Sequence, residues 1–277
     1  LLDVLLKKGY KTVGPTVRDQ AIVYDELVSV DDLPVGWTDE QNGGTYRLRK
    51  RSDDALFGYV VGPQSWKKFL HPPQIKLWDG KRDGKNFTVA ANNEPSPKYA
   101  FFGVRGCELH AIAVQDKVFT SGTHVDPIYK SRRTEVFIVA VNCGQAGNTC
   151  FCVSMNTGPE ATSGFDLSLT EILEKGRHYF LLEIGTSAGA EIMSDVPHKE
   201  ARKSEQETAE NIVAKTSAQM GRTMDTTGIQ ELLDRNHDHP RWNDIASRCL
   251  TCANCTMVCP TCFCSTALFI ACWMEIN

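Results

Sequence analysis

The chain has 277 residues, 42% of them hydrophobic and 23% charged, with a formal net charge of −4. That is one large or two modest domains with enough apolar residues to build a core, which excludes a wholly disordered chain. The mild acidity excludes a general binder of nucleic acid or membrane surface, because no global field attracts phosphates.

No apolar run reaches the roughly 18 residues of a membrane-spanning helix, and no membrane role is expected. The chain opens on Leu1 rather than Met, as a fragment or processed product would, and Leu1-Leu2-Asp3-Val4-Leu5-Leu6 reads as the end of a helix rather than a signal segment. Ala21-Ile22-Val23-Tyr24 and Leu56-Phe57-Gly58-Tyr59-Val60-Val61 read as strands; Asn42-Gly43-Gly44 is a turn and Tyr46 to Arg49 a returning strand. Ser65 to Leu70 reads as a short helix stopped by Pro72-Pro73. Tyr99 to Val104 is a continuously apolar strand that passes through Arg105-Gly106 into a helical pattern from Cys107, and Glu135 to Val141 is a second apolar strand. Strand, helix, strand in this order favours a parallel sheet buried on both faces. Arg177 to Ile184 reads as a strand. Pro197 to Met220 reads as a solvated connecting helix with Ile212 and Val213 as its buried-type residues. The polar stretch Asp234 to Pro240 divides the chain into an α/β (α+β) domain over 1–238 and a cysteine-rich module over 239–277.

The 11 cysteines are clustered rather than spread like a disulfide framework, which points to metal ligation. Cys249-x2-Cys252-x2-Cys255-x3-Cys259-Pro260 is an iron–sulfur run, in which three thiolates cap one [4Fe–4S] cubane and the fourth ligates a second cluster. A zinc ribbon is the alternative, but its C-x2-C pairs stand about a dozen residues or more apart. For the second cluster only Cys262, Cys264 and Cys272 remain, at a spacing that does not mirror the first run, so the module reads as cut short within the apolar stretch Ala267 to Trp273. Arg248 beside Cys249 would raise the local potential slightly.

Cys107 and Cys143 each follow a strand and, if those strands are parallel, emerge at the sheet edge where open α/β folds place ligands. Cys150 and Cys152 sit in the loop after Cys143, so the four thiols are candidates for a further [4Fe–4S] cluster, with Cys107 at a helix N-terminus that favours its thiolate. Buried structural cysteines or a redox-active thiol pair are the alternatives.

Weaker signals have plain readings. Arg47-Leu48-Arg49-Lys50-Arg51, followed by Asp53 and Asp54, reads as a solvated hairpin. Gly103-x2-Gly106 lacks the full dinucleotide-binding pattern. His237 and His239 read as exposed linker residues.

The segments Gly14-Pro15-Thr16-Val17-Arg18-Asp19, Gly103-Val104-Arg105-Gly106-Cys107-Glu108-Leu109-His110-Ala111-Ile112, Asn142-Cys143 to Cys150-Phe151-Cys152, and Cys255 to Cys264 resemble the iron–sulfur beta subunits of cytoplasmic sulfhydrogenases. They are similar as well to an iron–sulfur subunit of anaerobic sulfite reductase. The resemblance runs from about residue 10 to about residue 264, and Ser265 to Asn277 departs from it. It implies a cytoplasmic electron-transfer subunit, not itself catalytic. Its partners would be a flavin- or NAD(P)-binding gamma or B subunit on one side, and a hydrogenase or sulfite reductase catalytic subunit on the other. Two readings of other classes stand beside it: a thiol- or cluster-based reductase acting on sulfur or disulfide substrates through Cys107, Cys143, Cys150 and Cys152, and a zinc-binding interaction module.

Overall fold

The structure is a computed structural model that describes residues 1–91, 96–174 and 176–266. Helix α1 (Leu2–Lys7) leads into β1 (Lys11–Arg18), which turns back as β2 (Ala21–Glu26). A hairpin follows, β3 (Trp37–Asn42) and β4 (Thr45–Lys50), then the single turn α2 (Lys67–Leu70) and an exposed hairpin, β5 (Trp78–Asp83) and β6 (Asn86–Ala91). The central unit is β7 (Tyr99–Val104), α3 (Gly106–Thr120), α4 (Pro127–Thr134) and β8 (Phe137–Val141). After a cysteine-bearing loop come β9 (Leu167–Glu174), β10 (Arg177–Ile184), α5 (Ser187–Met193) and α6 (Lys203–Ala218). Three short helices end the described chain: α7 (Ile229–Asp234), α8 (Arg241–Ser247) and α9 (Asn254–Val258).

The main sheet has six strands in the order β10-β9-β8-β7-β1-β2. Its four inner strands, β9, β8, β7 and β1, run parallel, and β10 and β2 close the edges antiparallel. Every residue of β7 and β8 is buried, because a continuously apolar strand needs cover on both faces. On one face Ala100, Phe102, Phe137, Val139 and Val141 pack with Leu2 and Leu5 of α1 and Ile192 and Met193 of α5. On the other, Tyr99, Phe101, Ile138 and Ala140 pack with Leu70 of α2, Leu109 and Ile112 of α3, and Tyr129 of α4. The strand-helix-strand reading of the centre therefore holds, with the second strand starting at Phe137. No described helix is long and apolar enough to cross a membrane.

Two readings are corrected. Residues 56–61 form no strand. Phe57, Tyr59 and Val60 are buried, but side chains rather than a neighbouring strand satisfy the backbone. The Glu171 carboxylate accepts from the N–H groups of Leu56 (2.6 Å) and Phe57 (2.8 Å), and Asp39 accepts from that of Val60 (2.8 Å). The helix after Pro197 is also more than a solvated connector. It buries Glu205, Ala209 and Thr216, packs against β9 and β10, and delivers Met220 and Gly221 to the cysteine loop. The basic run forms β4 and the residue after it, with Arg49 paired to Glu40 and Arg51 to Asp53, and His237 and His239 are exposed as expected. The reading of Ala267 to Trp273, with Cys272, lies outside the described residues.

Candidate functional site

Because β7 and β8 are parallel, the chain leaves both at the same sheet edge. Cys107 stands in the first turn of α3 and Cys143 two residues past β8. A β-bulge at Gly103 (φ +97°) sharpens the exit from β7, where a Cβ would lie 3.1 Å from the Phe57 ring. Gly106 has no room either: a Cβ there would stand 2.6 Å from the Glu160 carbonyl. These two contacts account for Gly103-x2-Gly106 without a nucleotide.

Cys107, Cys143, Cys150 and Cys152 form one neighbourhood, partly buried, in which Cys107 senses the charge of the other three and Cys152 that of Cys143 and Cys150. The enclosing loops are closely fitted. The Cys143 N–H donates to the Pro159 carbonyl (3.1 Å), and the Gly147 N–H to Cys150 Sγ (3.4 Å). Gly158 fits between Cys152 and the start of α3, where a Cβ would be 3.3 Å from Cys152 Sγ and 3.6 Å from the Cys107 nitrogen. From the end of α6, Met220 Sδ lies 3.8 Å from Cys152 Sγ and the Arg222 N–H donates to the Cys150 carbonyl (2.9 Å).

Two charged side chains missed as site residues in the sequence lie under these thiols. Arg105 is fully buried. Its guanidinium donates to the carbonyls of Phe57 (2.8 Å), Tyr59 (3.1 Å) and Asn142 (3.2 Å), and its Nε has no partner. Glu108 accepts from the Tyr24 hydroxyl (2.6 Å) and the Arg105 N–H (2.9 Å). Burial works against the Arg105 charge, yet Cys143, Tyr59, Tyr24 and Glu108 around it hold its pKa above the usual guanidinium value. Burial raises the Glu108 carboxyl against the hydrogen bonds that favour its anion. Burial also pushes all three resolved thiols up: Cys107 strongly, Cys143 against the pull of Arg105, and Cys152 to about 11. Burial thus opposes the thiolate that the helix N-terminus would favour at Cys107. The signal available in the sequence was the pair Arg105 and Glu108 flanking a glycine-cysteine turn in an otherwise apolar stretch.

The terminal run lies apart from the sheet edge but close to α3. Cys249, Cys252 and Cys255 are exposed, and Cys259 and Cys262 partly buried. Thr251 (φ +51°) and Ala253 (φ +60°) turn the chain tightly ahead of α9, and the Thr251 N–H donates to Cys249 Sγ (3.3 Å). Cys255, Cys259 and Cys262 are electrostatic neighbours; Cys249 and Cys252 stay on the surface loop before them. Cys264 is exposed. Arg248, expected to act on Cys249, instead reaches Asp244 (3.4 Å). Among the described residues, every cysteine is a free thiol, and no three His, Cys, Asp or Glu side chains close around a single metal ion.

A cavity of about 250 Å³ joins the two regions, lined by Cys107, Glu108, Trp66, Lys67 and Gln115 on one side and Val258 of α9 on the other.

Over 266 residues the chain is 27% identical to the sulfhydrogenase 2 subunit beta of Pyrococcus furiosus, covering 94% of this chain and 68% of that protein. The chain is a distant relative of a sulfhydrogenase beta subunit. No protein-family model and no solved structure matches it.

Proposed function

We propose that the chain is a cytoplasmic electron-transfer subunit of a hydrogenase or sulfur-reductase complex, with [4Fe–4S] clusters as its cofactors. The observation that carries the reading is the convergence of Cys107, Cys143, Cys150 and Cys152 over a buried guanidinium. The donor set suits a cluster. Four thiolates around an iron–sulfur core carry net negative charge, and Arg105 is a fixed, buried cation with an unpartnered Nε beside Cys143. A bound cluster would take up and release one electron at a time.

The chain's residues do the rest. Cys107, Cys143, Cys150 and Cys152 would ligate the central group, and Cys249, Cys252 and Cys255 a terminal one, with Cys259 directed to a second cluster of the same module. The ferredoxin-like module would occupy 239–277 beside the 1–238 domain. Arg105 would hold positive charge at the central group, around which the loops bearing Gly147, Gly158 and Gly221 pack closely. Partners of two kinds fit this role: a gamma or B subunit that binds flavin or NAD(P), and a metal-bearing catalytic subunit. The kinship favours a hydrogenase complex; anaerobic sulfite reductase, which the motifs also resemble, is the other candidate.

A thiol-based reductase is the second reading, favoured by the cavity beside Cys107 and Glu108. The raised thiols count against it, because a nucleophilic cysteine needs its thiolate near neutral pH.

Metal and acid-labile sulfide analysis of the anaerobically purified chain separates the readings. Iron with matching sulfide is expected; zinc alone, or neither, refutes the relay.

A further inference from the structure

Lys67 is 4% exposed, an unusual place for an ammonium group. Its Nζ donates to three backbone carbonyls of one distant segment: Thr256 (2.9 Å), Cys259 (3.0 Å) and Cys262. An ammonium group has three donors, so this segment takes all of them. The acceptors lie on α9 and the turn after it, the stretch that carries Cys255, Cys259 and Cys262. They converge only when that loop is folded.

The base of Lys67 is rigid. Trp66 beside it stacks on Tyr24 (4.2 Å) and Phe101 (4.9 Å) in the core. Phe263 adds an edge-on contact to Phe119 of α3 (5.7 Å). Val258 shares with Cys107 the walls of the cavity between the two cysteine regions.

We propose that Lys67 is a positioning residue that latches the terminal cysteine loop onto the α/β domain beside Cys107, making the two cysteine sites successive stations within one chain. This rests on the electron-relay reading. In each transfer one site loses one electron and the other gains it, with no bond made or broken. A flavin-bearing partner and a metal-bearing catalytic subunit would stand at the two ends of the relay, one giving the electron and the other taking it. The Lys67 ammonium sits on the Cys259 carbonyl (3.0 Å), so its charge would also hold the terminal site at a higher potential than the loop alone would.

The test compares the full-length chain with its Lys67→Met variant, which keeps the aliphatic stem. In the wild type, amides of residues 254–263 should exchange with solvent at least about tenfold more slowly than those of the exposed helix α8. Lys67→Met should speed that exchange about tenfold or more. With clusters assembled, the variant should keep its iron but lose the magnetic interaction between the two reduced sites and titrate the terminal site at a lower potential. Equal exchange in 254–263 and α8 of the wild type overturns the latch, whether or not the variant folds. So does a variant with unchanged exchange, magnetic interaction and potential. A wild-type chain without iron and sulfide refutes the relay instead, and the exchange result still reports on the latch.

Discussion

Arg105 shows how much one side chain organises here. Its guanidinium ties the irregular segment at Phe57 and Tyr59 to the turn at Asn142, directly under Cys143. Arg105→Met leaves three carbonyls without their buried donor, and an orphaned buried polar group costs about 1–3 kcal/mol. A denaturant titration should show a lower midpoint at unchanged slope, and a loss under about 1 kcal/mol would contradict the buried-cation account. A milder case is Arg51, whose guanidinium grips Asp53 through both oxygens (2.5 and 2.7 Å) and reaches Gln145 of the cysteine loop (2.8 Å). The Arg51 hydrogen bond holds the Asp53 carboxyl below its ordinary value. A depressed carboxyl stabilises the fold above its unfolded pKa, and the contribution is lost as pH falls through the folded value. The stability difference between wild type and Asp53→Asn should therefore be present at neutral pH and vanish in acid. It should be small, because Asp53 is 38% exposed. A difference that grows on acidification would contradict the pairing. At this scale the sequence displayed the candidate ligands better than their surroundings. The cysteines stand out by spacing, whereas an arginine in a sequence reads as surface, and only the fold shows that Arg105 is enclosed.

Among the elements, those with a strong one-dimensional pattern were legible. The runs in β7 and β8 are apolar at nearly every position because both faces are covered, and the change of period at Cys107 marks α3. Residues 56–61 misled for a physical reason: burial alone does not make a strand when Glu171, Asp39 and Arg105 supply the backbone partners. The hairpin β5–β6 escaped notice because β5 is polar after Trp78, and the alternation of Phe87 and Val89 with Asn86 and Thr88 in β6 is too short to stand out; all residues of both strands are exposed. The role of α6 was hidden in the residues just past its C-terminal end. Gly221 packs so closely on the cysteine loop that a Cβ would stand 2.4 Å from the Asn148 carbonyl carbon. Gly221→Ala should destabilise by about 1–3 kcal/mol, as overpacking against backbone does, and it should expose the central thiols to alkylation in the metal-free chain. Wild-type stability and alkylation rates would show that the loop is not clamped from α6.

Over the whole molecule, Cys107 and Val258 of the terminal cysteine segment, far apart in sequence, line one cavity. The sheet order places Cys107 and Cys143 at one edge, which followed from the sequence once the strands were taken as parallel. The approach of the terminal loop did not, since it depends on three carbonyls 189 to 195 residues away from Lys67. Kinship to a sulfhydrogenase beta subunit extends over 94% of the chain, so it spans both cysteine regions. The proposed relay depends on Cys107, Cys143, Cys150 and Cys152 holding one cluster. Counting iron and acid-labile sulfide per chain in anaerobically prepared wild type and Cys107→Ser tests it most directly. The variant should lose about four iron atoms and matching sulfide while keeping those bound by the terminal run. Iron and sulfide unchanged from wild type would contradict it.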